Sequence, residues 1–158
     1  HTEQLSGWDI KILATDLSTR VLKKAMDGVY AKDRLRGIPL HMLNTYFKKG
    51  DGNLNDHYQI KDYLRETIMF RRLNLTDETF PFKGQFDFIF CRNVMIYFAP
   101  SCQQQLIDTL HRLLKPGGYL FTGDAEPLHL FSHEFKPVAE ADCLIYQKME
   151  RSINDNTF

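Results

Sequence analysis

The stretch Phe86-Asp87-Phe88-Ile89-Phe90-Cys91-Arg92-Asn93-Val94-Met95-Ile96-Tyr97-Phe98 decides how the rest of the chain is read. Its first part, Phe86 to Cys91, is a short and nearly unbroken apolar run carrying three phenylalanines. That pattern predicts a strand buried on both faces, as in a parallel sheet covered by helices, although periodicity alone also admits a buried helix segment. Arg92 and Asn93 then stand where the buried run should stop, and a second apolar group follows up to Tyr97. Open α/β sheets place their ligands just past the carboxyl ends of buried strands. An Arg-Asn turn capping the next helix is the plainer alternative.

Working outward, Ile10 to Thr15 reads as a strand ending at Asp16. A helix follows, with Ser18 or Asp16 as N-cap, Val21, Leu22, Ala25 and Met26 as apolar stripe, and Gly28 as stop. An acidic residue at such a strand tip is the usual hook for ribose hydroxyls, and an ordinary helix cap is the competing role. Leu35 to Phe47 can hold one short helix, and Lys48 to Asn53 is a turn or loop. Tyr58 to Ile60 suits a strand, Lys61 to Glu66 a short helical piece, and Thr67 to Arg71 another strand, followed by Asn74-Leu75.

Beyond the central stretch, Ser101 is the expected N-cap of an amphipathic helix carrying Leu106, Ile107, Leu110, Leu113 and Leu114. Lys115-Pro116-Gly117-Gly118 supplies turn chemistry, and Tyr119 to Thr122 starts a strand leading to Gly123-Asp124-Ala125-Glu126. Phe135 to Ala141 and Cys143 to Lys148 can pair as a hairpin, and 151–158 read as a disordered tail. Alternating strands and helices predict an α/β, mainly parallel sheet with right-handed crossovers. Asp16, Asn74, Asn93 and Asp124 would then all fall past carboxyl ends of strands, on one edge of that sheet.

Composition narrows the function. Twenty Lys+Arg balance twenty Asp+Glu, so no global field points to nucleic acid or an anionic membrane. Three scattered cysteines without a CxxC favour a reduced, cytoplasmic setting over a disulfide framework, and make a zinc site improbable. No run of eighteen apolar residues is present, so membrane insertion is not expected. The histidines are scattered, and none forms a dyad or metal cluster with its sequence neighbours.

Taken together, ILATD with its following Ser-Thr and VLKKA, then Asn74-Leu75, then FDFIFCRNVMIYF, then LLKPGGYLFTG, resemble the chemotaxis receptor methyltransferases of the CheR family. The resemblance runs from about Ile12 to Lys148, and FCRNVMIYF is its specific part. It implies a Rossmann-like class I methyltransferase sheet over residues 1–150, with a small antiparallel β-subdomain inserted at 50–71. It also implies S-adenosylmethionine as cofactor, glutamate side chains of bacterial chemoreceptors as substrate, and the receptor cytoplasmic domain as partner, with a receptor peptide at the β-subdomain.

By matching motif, Asp16 would bind the cofactor ribose, Asn74 and Leu75 would flank adenine, and Arg92 and Asn93 would line the methionine and ribose side. Tyr97 would stand beside the reacting sulfonium and touch the substrate carboxylate. Two departures accompany the match. The family's usual Gly-His-Ser-Glu is here Gly123-Asp124-Ala125-Glu126, and nothing before Ile10 supplies the family's first strand and Gly-Glu-Glu loop. The domain is therefore expected to be incomplete in these residues, leaving sheet edges and apolar faces uncovered. A non-catalytic receptor-binding or regulatory module, and a methyltransferase acting on small molecules, are the rival functions.

Overall fold

A computed structural model describes residues 7–50, 55–128, 134–138 and 144–149. The chain divides into two compact units, residues 1–74 and 75–158.

In the first unit, β1 (Ile12–Asp16) pairs in parallel with β5 (Ile68–Arg72), Asp16 lying opposite Arg72. Between them come α1 (Thr19–Asp27), β2 (Val29–Ala31), α2 (Leu40–Tyr46), β3 (Phe47–Lys49), β4 (His57–Ile60) and α3 (Asp62–Arg65). Ser18 is the N-cap of α1, its hydroxyl accepting from the Val21 N–H at 3.3 Å. Gly28 ends that helix at φ 61°, a left-handed conformation that favours glycine. Of the apolar stripe only Leu22 is buried. Strands β2, β4 and β3 form a three-stranded antiparallel sheet in the order β2-β4-β3.

This antiparallel sheet corrects the expected 50–71 insert. It draws its strands from 29–60, while Ile68–Arg72 belongs to the parallel pair with β1. The Lys48-Lys49 segment, expected as loop, is strand because antiparallel pairing with β4 overrides its weak propensity.

In the second unit, β6 (Phe86–Cys91) and β7 (Leu114–Thr122) pair in parallel around α4 (Pro100–Leu113). Strands β8 (Phe135–Val138) and β9 (Leu144–Lys148) form the expected hairpin, giving the order β6-β7-β9-β8 with β7 and β9 antiparallel. Helix α4 begins one residue before the expected cap. Ala99 takes the N-cap place and Pro100 the first helical position, where its fixed φ and missing N–H cost nothing. The Lys115–Gly118 turn falls inside β7 as an irregularity, at a shift in register against β6 between Phe86 and Phe88. A Cβ on Gly118 would lie 2.9 Å from the Lys115 carbonyl oxygen and 3.0 Å from that of Asp87, so the backbones meet there only because no side chain intervenes.

The core of this unit gathers Cys91 and Met95, Leu106, Ile107 and Leu110 of α4, Leu114 and Leu120 of β7, and Leu128, Phe135 and Tyr146. Strand β6 therefore serves it with alternate residues: Ile89 packs against the core and Cys91 is buried in it. The opposite face corrects the expectation of burial on both sides. Phe88 is 57% exposed and Phe90 71% exposed, stacked along the sheet on Tyr119 and Phe121 with ring centroids 6.0 and 4.3 Å apart. No described element of this unit packs over them. The apolar composition of the strand exceeds what one helix layer covers. The expected 151–158 tail and His129, His133 and Cys143 lie outside the described residues.

Candidate functional site

In the first unit Asp16 ends β1, half-buried. Its Oδ1 accepts the Ser18 N–H at 2.7 Å, so it does orient the entry to α1. A carboxylate has further lone pairs, and these leave it able to accept from a ligand as well. The Leu73 N–H donates to the Asp16 carbonyl at 3.1 Å, and the Arg72 guanidinium to the Leu17 carbonyl at 3.1 Å. These bonds carry Asn74 to the same pair of strand ends as Asp16.

The second unit holds Leu75, Arg92, Asn93 and Tyr97. Leu75 packs against the core cluster. Cys91 lies opposite Thr122, so Arg92-Asn93 and Gly123-Asp124 leave adjacent parallel strands side by side. Arg92 faces Asp124 at 3.6 Å, an exposed pair of small energetic weight. Asn93 adopts φ 57°, a left-handed conformation that asparagine tolerates better than most residues. Its side chain makes no hydrogen bond among the described residues. A 3-10 turn, Met95–Tyr97, follows, and it leaves Tyr97 80% exposed.

One residue the sequence reading passed over organises this group. Glu126 is 5% exposed, and its carboxylate accepts four backbone N–H groups. Oε2 takes Asn93 at 2.8 Å and Gly123 at 2.7 Å, while Oε1 takes Val94 and Met95, each at 2.7 Å. A Cβ on Gly123 would stand 2.7 Å from that Oε2 and 3.0 Å from the Asn93 nitrogen, so only glycine permits the approach. Composition and periodicity do not separate Glu126 from exposed Asp124; only the family's Gly-His-Ser-Glu pattern does, since Glu126 keeps its final acid and Asp124 departs from it. The weak signal is an acid three residues after a strand-end glycine.

Burial pushes the Glu126 carboxyl up, but the N–H groups of Gly123, Asn93, Val94 and Met95 outweigh it and hold the group below the ordinary glutamate value. Burial, reinforced by the Glu126 charge, pushes the Cys91 thiol up to about 11, which keeps it protonated and unsuited to nucleophilic chemistry at neutral pH. Because the folded pKa of Glu126 is depressed, its stabilising contribution is complete above the unfolded glutamate value of about 4.3 and is lost as pH falls through the lower folded value. Cys91 is the ionisable group that feels its charge, and it stays neutral throughout that window. Thermal melting followed from about pH 7 down to about pH 3 should show this loss, with a shallower acid limb in Glu126→Gln, which has no carboxyl to protonate.

Residues 1–143 match the CheR methyltransferase SAM binding domain. The chain belongs to the CheR methyltransferase family. It is 40% identical over 122 residues to a chemotaxis protein methyltransferase of Borreliella burgdorferi, covering 77% of this chain and 42% of that protein. It is 39% identical over 123 residues to the chemotaxis protein methyltransferase of Escherichia coli K12, covering 78% and 42% respectively. Against chemotaxis protein methyltransferase 2 of Pseudomonas aeruginosa the figures are 36% over 140 residues, 87% of this chain and 50% of that one. The CheR chain thus spans about half the length of the curated relatives it matches.

Its fold is that of class I methyltransferases. The N-methyltransferase NodS of Bradyrhizobium japonicum WM9, solved with S-adenosyl-L-homocysteine, superposes with a TM-score of 0.55 at 12% identity, over 89% of this chain and 67% of NodS. No helix among the described residues of this CheR chain is long and apolar enough to cross a membrane.

Proposed function

We propose that the protein transfers the methyl group of S-adenosylmethionine to glutamate side chains of chemoreceptors. The observation that carries this reading is the turn after β6. The motif most specific to the family, Cys91 to Phe98, there has its backbone held by the Glu126 carboxylate, with the Tyr97 ring exposed and the side-chain oxygen of exposed Asn93 lying over Gly123. The donor set fits the cofactor: a carboxylate at Asp16 for vicinal hydroxyls, amides at Asn74 and Asn93, and an apolar side chain at Leu75. Asp16 takes the ribose hydroxyls, Asn74 and Leu75 flank the adenine, and Arg92 and Asn93 line the methionine and ribose side.

When bound, the cofactor supplies a methyl group made electrophilic by its sulfonium. A substrate glutamate with a pKa of about 4.3 is already ionised at neutral pH, so the protein needs no general base. Its work is to align the carboxylate oxygen with the methyl carbon and to strip its water. The Tyr97 hydroxyl orients that carboxylate. The test is methyl transfer from labelled cofactor to receptor membranes by the full-length protein. Transfer to receptor glutamates is the expected result, and a protein that labels only small molecules, or nothing, overturns the reading.

The receptor cytoplasmic domain is the partner, and the reaction takes place in the cytoplasm, in keeping with free Cys91 and Cys102. The antiparallel sheet receives a receptor peptide by adding a strand at one of its edges. Strands β2 and β3 are those edges. Alternation of the antiparallel ladder turns the N–H groups of Ala31 and Lys49 away from β4. A proline removes such an N–H. Of Ala31→Pro and Lys49→Pro, the one on the receiving edge should weaken receptor binding about tenfold and leave cofactor affinity intact, the loss of about one net hydrogen bond. Unchanged receptor binding in both variants would refute strand addition.

A further inference from the structure

We propose that Glu126 is a positioning residue of the methyl-transfer site: through the backbone it fixes the turn that carries Asn93 and Tyr97. The proposal rests on the cofactor role given to that turn above. Successive backbone N–H groups around a left-handed residue form a concavity that attracts anions. Here the N–H groups of Asn93, Val94 and Met95 make such a concavity, with Asn93 at φ 57°. The anion that fills it is the chain's own carboxylate, brought from the loop after β7, which also takes the Gly123 N–H at 2.7 Å. The concavity is therefore closed to ligand phosphate or carboxylate.

A buried carboxylate needs compensation, and among the described residues no cationic side chain pairs with it, Arg92 facing Asp124 instead. The four amide dipoles do so. They also tie the loops after β6 and β7 together.

The hold extends to Tyr97. Val94 and Met95 give their N–H groups to Glu126 and their carbonyls to the next turn, accepting from Tyr97 at 3.2 Å and Phe98 at 2.9 Å. Gln103 adds a bond from its side-chain amide to the Met95 carbonyl at 2.9 Å. The Glu126 backbone is itself set, its N–H donating to the Gly123 carbonyl at 2.9 Å and its carbonyl accepting from the Thr122 hydroxyl at 3.1 Å. Any shift of the carboxylate therefore passes to the Asn93 amide and, two hydrogen bonds on, to the Tyr97 ring.

Charge and reach both matter. In Glu126→Gln one oxygen becomes an NH2 group facing N–H donors, so half the cradle turns repulsive at nearly unchanged volume. Glu126→Asp keeps the charge but is one methylene shorter. In the full-length protein, titration calorimetry with S-adenosylhomocysteine gives the binding-competent fraction and the Kd separately. We expect Glu126→Gln to raise Kd at least tenfold per competent site and to lower kcat at saturating cofactor at least tenfold, with Glu126→Asp recovering part of both.

A merely structural carboxylate would lower the competent fraction and the melting temperature while leaving Kd and kcat per site at wild-type values. That result overturns the proposal. If Glu126→Gln does not fold, amide exchange in the wild type decides: protection of the Asn93, Val94, Met95 and Gly123 N–H groups supports the cradle, and free-peptide rates overturn it. Wild-type protein that binds no S-adenosylhomocysteine overturns the reading of function and the proposal together. A variant indistinguishable from an active wild type overturns the proposal alone.

Discussion

Tyr97→Phe in the full-length protein should lower methyl transfer at saturating cofactor by roughly ten- to hundredfold, the equivalent of one charge-assisted hydrogen bond of about 1.5–3 kcal/mol. The hydroxyl is on an exposed side chain at the end of a 3-10 turn, and its backbone N–H is already taken by the Val94 carbonyl. Removing it therefore leaves the turn and the ring in place. A group that orients the substrate oxygen acts mainly in the transition state, so kcat should fall while cofactor affinity stays near wild type. The ring that remains can still attract the sulfonium by its negative face. Steady-state kinetics on receptor membranes, with cofactor Kd measured in parallel, separate the two quantities. A fully active Tyr97→Phe removes the residue from the mechanism.

Asp16→Ala should weaken S-adenosylmethionine or S-adenosylhomocysteine binding at least tenfold, because it removes a charged acceptor of the ribose hydroxyls. The same carboxylate accepts the Ser18 N–H at the start of α1, so alanine also frees a helix entry. Asp16→Asn separates the roles: its amide oxygen keeps the Ser18 bond, while the negative charge and one acceptor are lost. Both variants should show the affinity loss in calorimetry, and only alanine should also lower the melting temperature. Wild-type affinity in folded Asp16→Asn would reduce Asp16 to its place before the helix.

Much of the local structure is legible in the residues. Strand β6 is found at Phe86–Cys91 as read, because a short apolar run bounded by charged and polar groups has few other uses. The Ser18 cap and the Gly28 stop of α1 follow from side-chain oxygen and left-handed φ, both properties of single residues. Strands β8 and β9 meet as the expected hairpin. The antiparallel sheet was less legible, since Val29–Ala31 and Phe47–Lys49 are three-residue strands that exist only through pairing with β4.

The sequence by itself determined the alternation of strands and helices, the polar residues at the strand ends and the family that carries them. These are written in periodicity, in turn chemistry and in one contiguous motif. Tertiary structure alone decided which acid is exposed and which is buried. Asp124 and Glu126 are two residues apart in one loop, yet one lies at the surface beside Arg92 and the other closes on four amides. It also decided that the described residues of this unit cover only one face of β6, leaving Phe88 and Phe90 exposed. The reason is the same in both cases: burial and hydrogen-bond partners come from residues some thirty positions away, and a carboxylate has no signature in sequence until the N–H groups it meets are brought to it.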